Sequence, residues 1–288
     1  MKTRIITAVV GLGILAVVLA FFDTILFDLV LAAVCLLGIH EVFSAMGFGK
    51  KQWYLYAAAV PITLLMMLSS SEGVRALLLP AGFLTVLFYN ICLIANSKTL
   101  DFGKLSGFLY FGGVIVFCFY SLIHLKRCLP MDTYGYDAIF FILLILCFAW
   151  GGDTSAYFAG RAFGKHKLAP VVSPNKTVEG AIGGVLGSIV LGLVATLLYS
   201  IPTGRLTTLT VSVTVRHYLI IAAMGAVASV LGILGDLFAS AVKRQAGIKD
   251  YGNLFPGHGG VWDRFDSILF AAPLFELLYL HILPRIGG

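Results

Sequence analysis

Long apolar runs recur along the whole chain, and they limit the folds that it can adopt more than any other feature. Hydrophobic residues make up 59% of the 288 residues, charged residues only 12%, and the mean hydropathy is +0.97. A bilayer core about 30 Å thick requires about 20 consecutive apolar residues in a helix, and soluble domains are far less apolar. The sequence therefore predicts an all-α, polytopic integral membrane protein.

The apolar runs predict about nine transmembrane helices, two of which are short for a bilayer. Their ranges are 5–22, 25–39, 53–68, 76–95, 105–125, 139–158, 178–199, 218–242 and 268–283. The first run follows MKTR as the apolar part of a signal peptide would, but no small-residue cleavage site follows it. We therefore interpret it as a retained first helix.

The basic residues predict the orientation of the chain. With the N-terminus in the cytoplasm, fourteen of the 20 Lys and Arg residues fall on the cytoplasmic side, as the positive-inside rule requires. The net charge of +6 is compatible with nucleic acid binding, but these residues lie in short loops beside helix ends. Anionic headgroups or a phosphorylated substrate fit them better, so we expect no nucleic acid partner.

Cysteine chemistry is not predicted. No two of the 5 cysteines form a CxxC pair, and four of them lie inside apolar runs, where they serve as small core residues. They are Cys35, Cys92, Cys118, Cys128 and Cys147.

The two halves of the chain differ in polarity. The first half has few ionisable residues within its spans; HEVFS, which includes Glu41, resembles a zinc protease motif but has Ser44 in place of the second histidine. From residue 150 onward carboxylates occur within or beside helices, where each costs on the order of 3 kcal/mol near the bilayer centre. We therefore predict a helical scaffold at 1–135, with possible oligomer contacts, and a catalytic region at 136–288.

The first polar cluster of the second half is GGDTSAYFAGRAFGKHKLAP, residues 151–170. On a helix, Asp153, Tyr157 and Arg161 are spaced i, i+4, i+8 and share one face. The pattern is equally typical of an ion pair at a helix end, with Tyr and Arg side chains at the membrane interface.

The second cluster is SPNKTVEG, residues 173–180. Ser173 or Thr177 can cap the following helix, and the N–H groups at its start suit an anion, with Lys176 nearby. Glu179 falls in the first turn, where a carboxylate is favoured. Helix capping alone would explain most of this pattern.

The third cluster begins in GDLFASAVKR. Asp236 and Ser240 are spaced i, i+4, and the cations Lys243 and Arg244 follow on the same helix end. This spacing places a carboxylate one and a half to two turns from two positive charges.

The cluster continues through a glycine-rich stretch, GHGG at 257–260, into VWDRFDS. The glycines allow a phosphate to approach the backbone, and Asp263 and Asp266, at i and i+3, can face one site at the start of the last helix. Alternatively, Arg264 neutralises the aspartates and the glycines serve turns.

Carboxylates, cations and glycines together are typical of a metal and phosphate site. Mg²⁺ binds a few carboxylate oxygens together with water and substrate phosphates. Asp236 and Asp263 are therefore the predicted ligands, with Asp266 as a third candidate. Lys and Arg side chains would stabilise the charge on phosphoryl oxygens during transfer.

The run SAVKRQAGIKDYGNLFPGHGGVWDRFD, residues 240–266, resembles the signature of the phosphatidate cytidylyltransferases, also called CDP-diacylglycerol synthases. The matching positions are Ser240, Lys243, Arg244, Lys249, Asp250, Gly252, Pro256, His258, Gly259, Gly260, Asp263, Arg264 and Asp266. The first two clusters are similar to segments of the same family, so the resemblance covers residues 150–288. Asn175 departs from the pattern, since many members have a second lysine there.

The resemblance implies a reaction, in which CTP and phosphatidate give CDP-diacylglycerol and pyrophosphate with Mg²⁺, or with Mg²⁺ and a second cation. It also implies a homodimer in the plasma membrane, the inner membrane of a bacterium, with its active site toward the cytoplasm. The implied catalytic residues are Asp236, Ser240, Lys243, Arg244, His258, Asp263, Arg264 and Asp266, with Asp236 and Asp263 as metal ligands. The implied substrate-binding residues are Arg161, Ser173, Lys176, Lys249, Gly259 and Gly260.

The resemblance also suggests how these residues act. The phosphatidate phosphate attacks the α-phosphorus of CTP, so that catalysis reduces mainly to positioning and charge stabilisation. Lys243, Arg244 and Arg264 would hold phosphates, and Lys176 and Arg161 would guide a substrate. His258 either contacts pyrophosphate or shapes the loop.

Two other functions remain as alternatives. A CTP-dependent lipid kinase, of the polyprenol type, would share the nucleotide and metal site but transfer the γ-phosphoryl group. A cation-coupled transporter would use the intramembrane aspartates, but the paired interrupted helices of such proteins are not evident in the sequence.

Overall fold

The computed structural model describes residues 2–203, 215–254, 259–268 and 270–278, most of which are helical. The chain forms two compact units. The first contains Met1–Arg127 and Gln245–Arg264, and the second contains Cys128–Arg244 and Phe265–Gly288.

Helices form nearly all of the N-terminal part of the first unit. They are α1 (Lys2–Ala20), α2 (Ile25–Ala45), α3 (Trp53–Met67), α4 (Glu72–Arg75), α5 (Leu78–Ala95) and α6 (Phe102–Cys128), with a short 3₁₀ turn at Lys50–Gln52. Thr24 caps α2, because its hydroxyl accepts a 3.2 Å hydrogen bond from the Leu26 N–H. Packed aromatic rings, with Phe43 and Phe108 5.8 Å apart, fill part of this unit's core.

A buried ion pair joins two helices of the first unit. The Lys126 ammonium group lies 2.8 Å from the Asp28 carboxylate, and both side chains are almost completely buried. Lys126 also donates to the Thr24 carbonyl, while the Ser70 hydroxyl donates to Asp28. The charges are therefore paired and hydrogen-bonded, as buried charges in a folded protein must be.

The second unit combines helices with a small hairpin. Its helices are α7 (Met131–Tyr134), α8 (Asp137–Leu146), α9 (Gly152–Phe163), α10 (Val178–Thr203), α11 (Val215–Gln245) and, after α12 (Trp262–Phe265), α13 (Ala271–Leu277). The antiparallel strands β1 (Lys167–Ala169) and β2 (Ser173–Thr177) form the hairpin between α9 and α10. A π-helical turn, Cys147–Gly151, continues α8 into α9. The apolar pattern does not predict the hairpin, because its two strands have only three and five residues and mix polar with apolar side chains.

Glycines allow α9 and α10 to pack closely. A Cβ atom on Gly183 would overlap the Ala159 side chain, and one on Gly187 would overlap Ser155. Small residues at such contacts are typical of helix packing in membranes, where close backbone approach replaces the hydrophobic driving force. The hairpin therefore connects two helices that pack tightly against each other.

The predicted membrane-spanning character is confirmed, but not every predicted span. Six helices in the described part of the chain are long and apolar enough to cross a membrane: Ile25–Ala45, Glu72–Ala95, Phe102–Cys128, Asp137–Phe163, Val178–Ile201 and Val215–Gln245. The first helix has a shorter apolar stretch, Val9–Ala20, and α3 has 15 residues. The predicted last span, 268–283, lies partly outside the described residues. The count of nine and the orientation therefore stay predictions.

Candidate active site

The signature loop, residues 259–263, is an ordered part of the first unit. Gly259 has a positive φ of 84°, a backbone conformation that glycine adopts without strain. A Cβ atom at this position would also lie 2.8 Å from Oδ2 of Asp263. Gly259 is therefore required by both the backbone and the adjacent carboxylate.

Backbone N–H groups fix the orientation of Asp263 in this loop. Its Oδ2 atom accepts hydrogen bonds from the Tyr251 N–H at 2.8 Å and from the Gly260 N–H at 3.0 Å. The side chain is buried, so these bonds compensate for its removal from water. The carboxylate expected to bind metal is thus held at one of its oxygens by two backbone N–H groups.

Glu41, near the C-terminal end of α2, is a second buried carboxylate against the signature loop. Its two oxygens accept hydrogen bonds from the N–H groups of Val261 and Trp262, each at 2.8 Å. This contact was not predicted, because the pattern around Glu41 suggested only a zinc protease motif, which Ser44 excludes. An ionisable residue in an apolar span was the available signal, since such residues usually have a specific role.

In the second unit, Asp236 of α11 lies between a cation and a hydroxyl group. The Lys176 ammonium group on β2 is 2.5 Å from its Oδ2 atom, and the Ser240 hydroxyl donates to Oδ1 at 3.2 Å. About a quarter of each side chain of the ion pair is exposed. The predicted i, i+4 contact of Asp236 with Ser240 is confirmed, and Lys176 joins the same group.

Asp266 is buried in the same unit, and its pKa is raised well above the usual value. Burial is the largest cause, and the negative charges of Asp236 and Asp153 raise the pKa further. The positive charge of Lys243 and the Ser267 N–H act in the opposite direction. We call Asp153, Asp236 and Asp266 the acidic cluster.

The acidic cluster fits a cation that brings its other ligands with it. A carboxylate that lies near other negative charges is stabilised when a cation neutralises them. Among the described residues, no group of three or more His, Cys, Asp or Glu side chains could hold a metal ion by themselves. Mg²⁺ does not need a full set of protein ligands, because waters and substrate phosphates complete its coordination.

The hairpin presents basic residues next to the start of α10. The Thr177 hydroxyl accepts a 3.1 Å hydrogen bond from the Gly180 N–H and caps α10. Ser173, the other predicted cap, lies in β2. Glu179 accepts hydrogen bonds from the Lys165 and His166 N–H groups and lies 2.6 Å from the His166 ring. The base of the hairpin is therefore fixed to the first turn of the helix.

The remaining predicted site residues lie on different elements of the two units. Arg244 donates to the Val172 carbonyl of the hairpin at 3.3 Å, and Lys243 is buried on α11. Arg161 on α9 is exposed, as are Lys249 and Arg264 in the first unit. His258 lies outside the described residues.

The structure thus gathers one subset of the predicted residues in each unit. The second unit brings together Asp236, Ser240, Lys176, Lys243 and Asp266, and the first contains Asp263, Gly259 and Gly260. Joint metal binding by Asp236 and Asp263 stays a prediction. Asp263 and Asp266 were expected at the start of the last predicted helix, 268–283, but α12 ends at Phe265 and α13 begins at Ala271.

Nearly the whole chain is similar to known proteins. The cytidylyltransferase family, as a sequence model, matches residues 2–282. The phosphatidate cytidylyltransferase of Bacillus subtilis is 31% identical over 291 residues, covering 96% of this chain and 97% of that protein. That of Haemophilus influenzae is 31% identical over 301 residues, covering 98% and 100%. That of Staphylococcus haemolyticus is 41% identical over 146 residues, 51% of each chain. The chain belongs to the cytidylyltransferase family.

Proposed function

We propose that the chain is a phosphatidate cytidylyltransferase, which transfers the cytidylyl group of CTP to phosphatidate and forms CDP-diacylglycerol and pyrophosphate for phospholipid biosynthesis. Two relatives with this name match nearly the whole chain. The structural observation that carries the proposal is the acidic cluster with Lys176 and Ser240 at Asp236. It combines the hard oxygen atoms and positive charges that nucleotide phosphates require.

The reaction is a nucleophilic displacement at phosphorus. An oxygen of the phosphatidate phosphate forms a bond to the α-phosphorus of CTP, and the bond between that phosphorus and the α,β-bridging oxygen breaks. The bridging oxygen leaves with its electron pair as part of pyrophosphate. The phosphate monoester is anionic near neutral pH, so the protein needs no strong general base and contributes mainly positioning and charge stabilisation.

Asp236 and Asp263 are the proposed Mg²⁺ ligands, and Asp266 supports Asp236. When bound, Mg²⁺ would neutralise phosphate charge and stabilise the charge that develops on the leaving group. Lys176 limits the repulsion between Asp236 and an approaching phosphate, because its ammonium group lies against that carboxylate. Lys243, Arg244 and Arg264 hold phosphates, and Arg161 guides a substrate.

The glycines and the hairpin contribute to substrate binding. Phosphate binding by Gly259 and Gly260 stays a prediction, because the carboxylates of Asp263 and Glu41 occupy the space beside these glycines. Ser173 and Lys249 are proposed to offer further polar contacts to a substrate. His258 contacts pyrophosphate or shapes the loop. The long apolar helices of the described residues suit a lipid substrate whose acyl chains stay in a bilayer.

The cellular setting follows from the sequence. The bias of Lys and Arg places the basic loops in the cytoplasm, from which CTP arrives, and a plasma or bacterial inner membrane supplies the phosphatidate. A homodimer is part of the proposal, and light scattering of the purified protein in detergent measures that state.

The direct test is product analysis with purified protein in detergent, CTP, phosphatidate and Mg²⁺. We expect CDP-diacylglycerol and pyrophosphate in equal amounts. Formation of a phosphorylated lipid and CDP would indicate a lipid kinase instead. No nucleotide-dependent product, together with cation-driven flux in proteoliposomes, would indicate a transporter.

A further inference from the structure

Glu41 is the residue through which α2 contacts the signature loop. Its carboxylate accepts two backbone hydrogen bonds, from Val261 and Trp262, and the side chain is only 8% exposed. Charged acceptors form stronger hydrogen bonds than neutral ones, and two parallel bonds also fix the geometry. A segment more than 200 residues away in sequence is therefore held in one conformation by Glu41.

Two glycines make room for this carboxylate. A Cβ atom on Gly260 would overlap Glu41, and one on Gly252 would lie 2.5 Å from its Oε1 atom. Neither glycine has a positive φ, so backbone conformation does not require glycine at these positions. At both positions, the Glu41 carboxylate occupies the space that a side chain would fill.

The same backbone segment orients Asp263. The Gly260 N–H donates to Asp263, while the Gly260 Cα atom lies against Glu41 and the next two N–H groups donate to Glu41. A shift of the Glu41 carboxylate would therefore move the donor that holds Asp263. The connection runs from α2 through the loop backbone to a proposed metal ligand.

We propose that Glu41 is a positioning residue for cytidylyl transfer: it fixes the signature loop so that Asp263 keeps the orientation in which it binds Mg²⁺. This inference rests on the proposed function. Glu41 itself contacts neither metal nor substrate in this role, and it acts through backbone N–H groups. Residues that orient metal ligands commonly contribute about 10- to 100-fold to metal affinity or activity.

The opposing explanation is that Glu41 only stabilises the fold. The chain offers a matched control in Asp28, which lies in the same helix and is equally buried but pairs with Lys126. Asp28→Asn removes a buried charge without touching the signature loop. Glu41→Gln replaces one accepting oxygen by an amide group, so that one of the two loop N–H groups loses its acceptor.

The experiment compares full-length wild-type, Glu41→Gln and Asp28→Asn proteins in detergent. Amide hydrogen exchange of the segment 259–265 is measured without substrates. CTP kinetics are then measured over a Mg²⁺ titration, with kcat normalised to the folded fraction. Gly252→Ala, which pushes a methyl group against the Glu41 carboxylate, disturbs the same contact and serves as a second variant if Glu41→Gln does not fold.

We expect faster exchange of the loop amides in Glu41→Gln, a kcat about tenfold or more below wild type, and a Mg²⁺ concentration for half-maximal activity about tenfold higher. Asp28→Asn should show none of these changes. The proposal is overturned if loop exchange is unchanged, or if kcat per folded protein and the Mg²⁺ requirement stay at wild-type values. If wild type forms no CDP-diacylglycerol, the proposed function fails, whereas the exchange comparison still decides whether Glu41 holds the loop.

Discussion

The two units stabilise their buried carboxylates in different ways. In the first unit, Glu41 and Asp263 each accept two hydrogen bonds from backbone N–H groups. In the second, Asp266 is buried near the negative charges of Asp236 and Asp153, and its pKa is raised. Fixed N–H dipoles orient a carboxylate, whereas the neighbouring negative charges of the second unit are offset in part by Lys176 and Lys243 and would be offset further by a bound cation.

This difference suggests a division of roles. The N–H groups around Asp263 set its direction before any ligand binds, which is the property of a preorganised site. In the proposed function, the acidic cluster carries negative charge that a bound cation would offset, so it would supply affinity for that cation. Variants of the acidic cluster should therefore change the Mg²⁺ dependence of the activity most. Variants of the signature loop should change the orientation of the Asp263 carboxylate.

Asp236→Asn should give the largest effect. It removes one negative charge from the acidic cluster and one proposed metal ligand, so we expect kcat to fall about 10³-fold and Mg²⁺ to lose its stabilising effect on thermal unfolding. Enzyme kinetics over a Mg²⁺ titration measure kcat, and melting curves over the same titration measure the stabilisation by Mg²⁺. Asp132→Asn, in α7 of the same unit, is the control and should behave as wild type. Near wild-type turnover in Asp236→Asn would remove this carboxylate from the mechanism.

Asp266→Asn should reduce activity less, by about 10²-fold, and should not destabilise the protein without Mg²⁺. The reason is that the variant removes a charge that is repelled by Asp236 and Asp153. Melting temperatures without and with Mg²⁺ test the prediction, and the rise caused by Mg²⁺ should shrink. A lower melting temperature without Mg²⁺ would show that the Asp266 charge stabilises the fold.

Gly259→Ala tests the geometry of the signature loop. We expect kcat to fall about tenfold, because the new methyl group meets the carboxylate of Asp263, the proposed metal ligand, and disturbing the orientation of a metal ligand commonly costs about 10- to 100-fold. Gly247 is the matched control: its φ is 68°, similar to 84° at Gly259, but nothing lies within 4 Å of a Cβ atom there. Gly247→Ala should carry the backbone strain, about 1 kcal/mol, without the kinetic defect. Equal kinetic losses in the two variants would assign the effect to strain alone.

The sequence predicted those parts of the site that depend on local spacing. Asp236 and Ser240 are four residues apart on one helix, so their contact follows from helical geometry. Capping of α10 by Thr177 is local in the same sense. The apolar runs likewise predicted the six long helices, because bilayer thickness sets their length.

Contacts between distant segments were not predictable in this way. Lys176 was expected to meet an anionic substrate, and its ion pair with Asp236 depends on how the hairpin packs beside α11. Glu41 contacts Val261 and Trp262 across more than 200 residues. No periodicity within either segment encodes such a contact, since it arises only when the helices pack.

Asp28→Asn should have the smallest effect on catalysis and a clear effect on stability. It leaves the buried Lys126 ammonium group without its charged partner, which typically costs on the order of 3 kcal/mol, so we expect a lower melting temperature. The kinetic constants of the folded protein should stay within about twofold of wild type, since Asp28 lies at the opposite end of α2 from Glu41. Double replacement of Asp28 and Lys126 by Leu should recover part of the stability, because no unpaired charge remains buried. A kinetic defect in Asp28→Asn comparable to that of Glu41→Gln would mean that the two ends of α2 do not have separate roles.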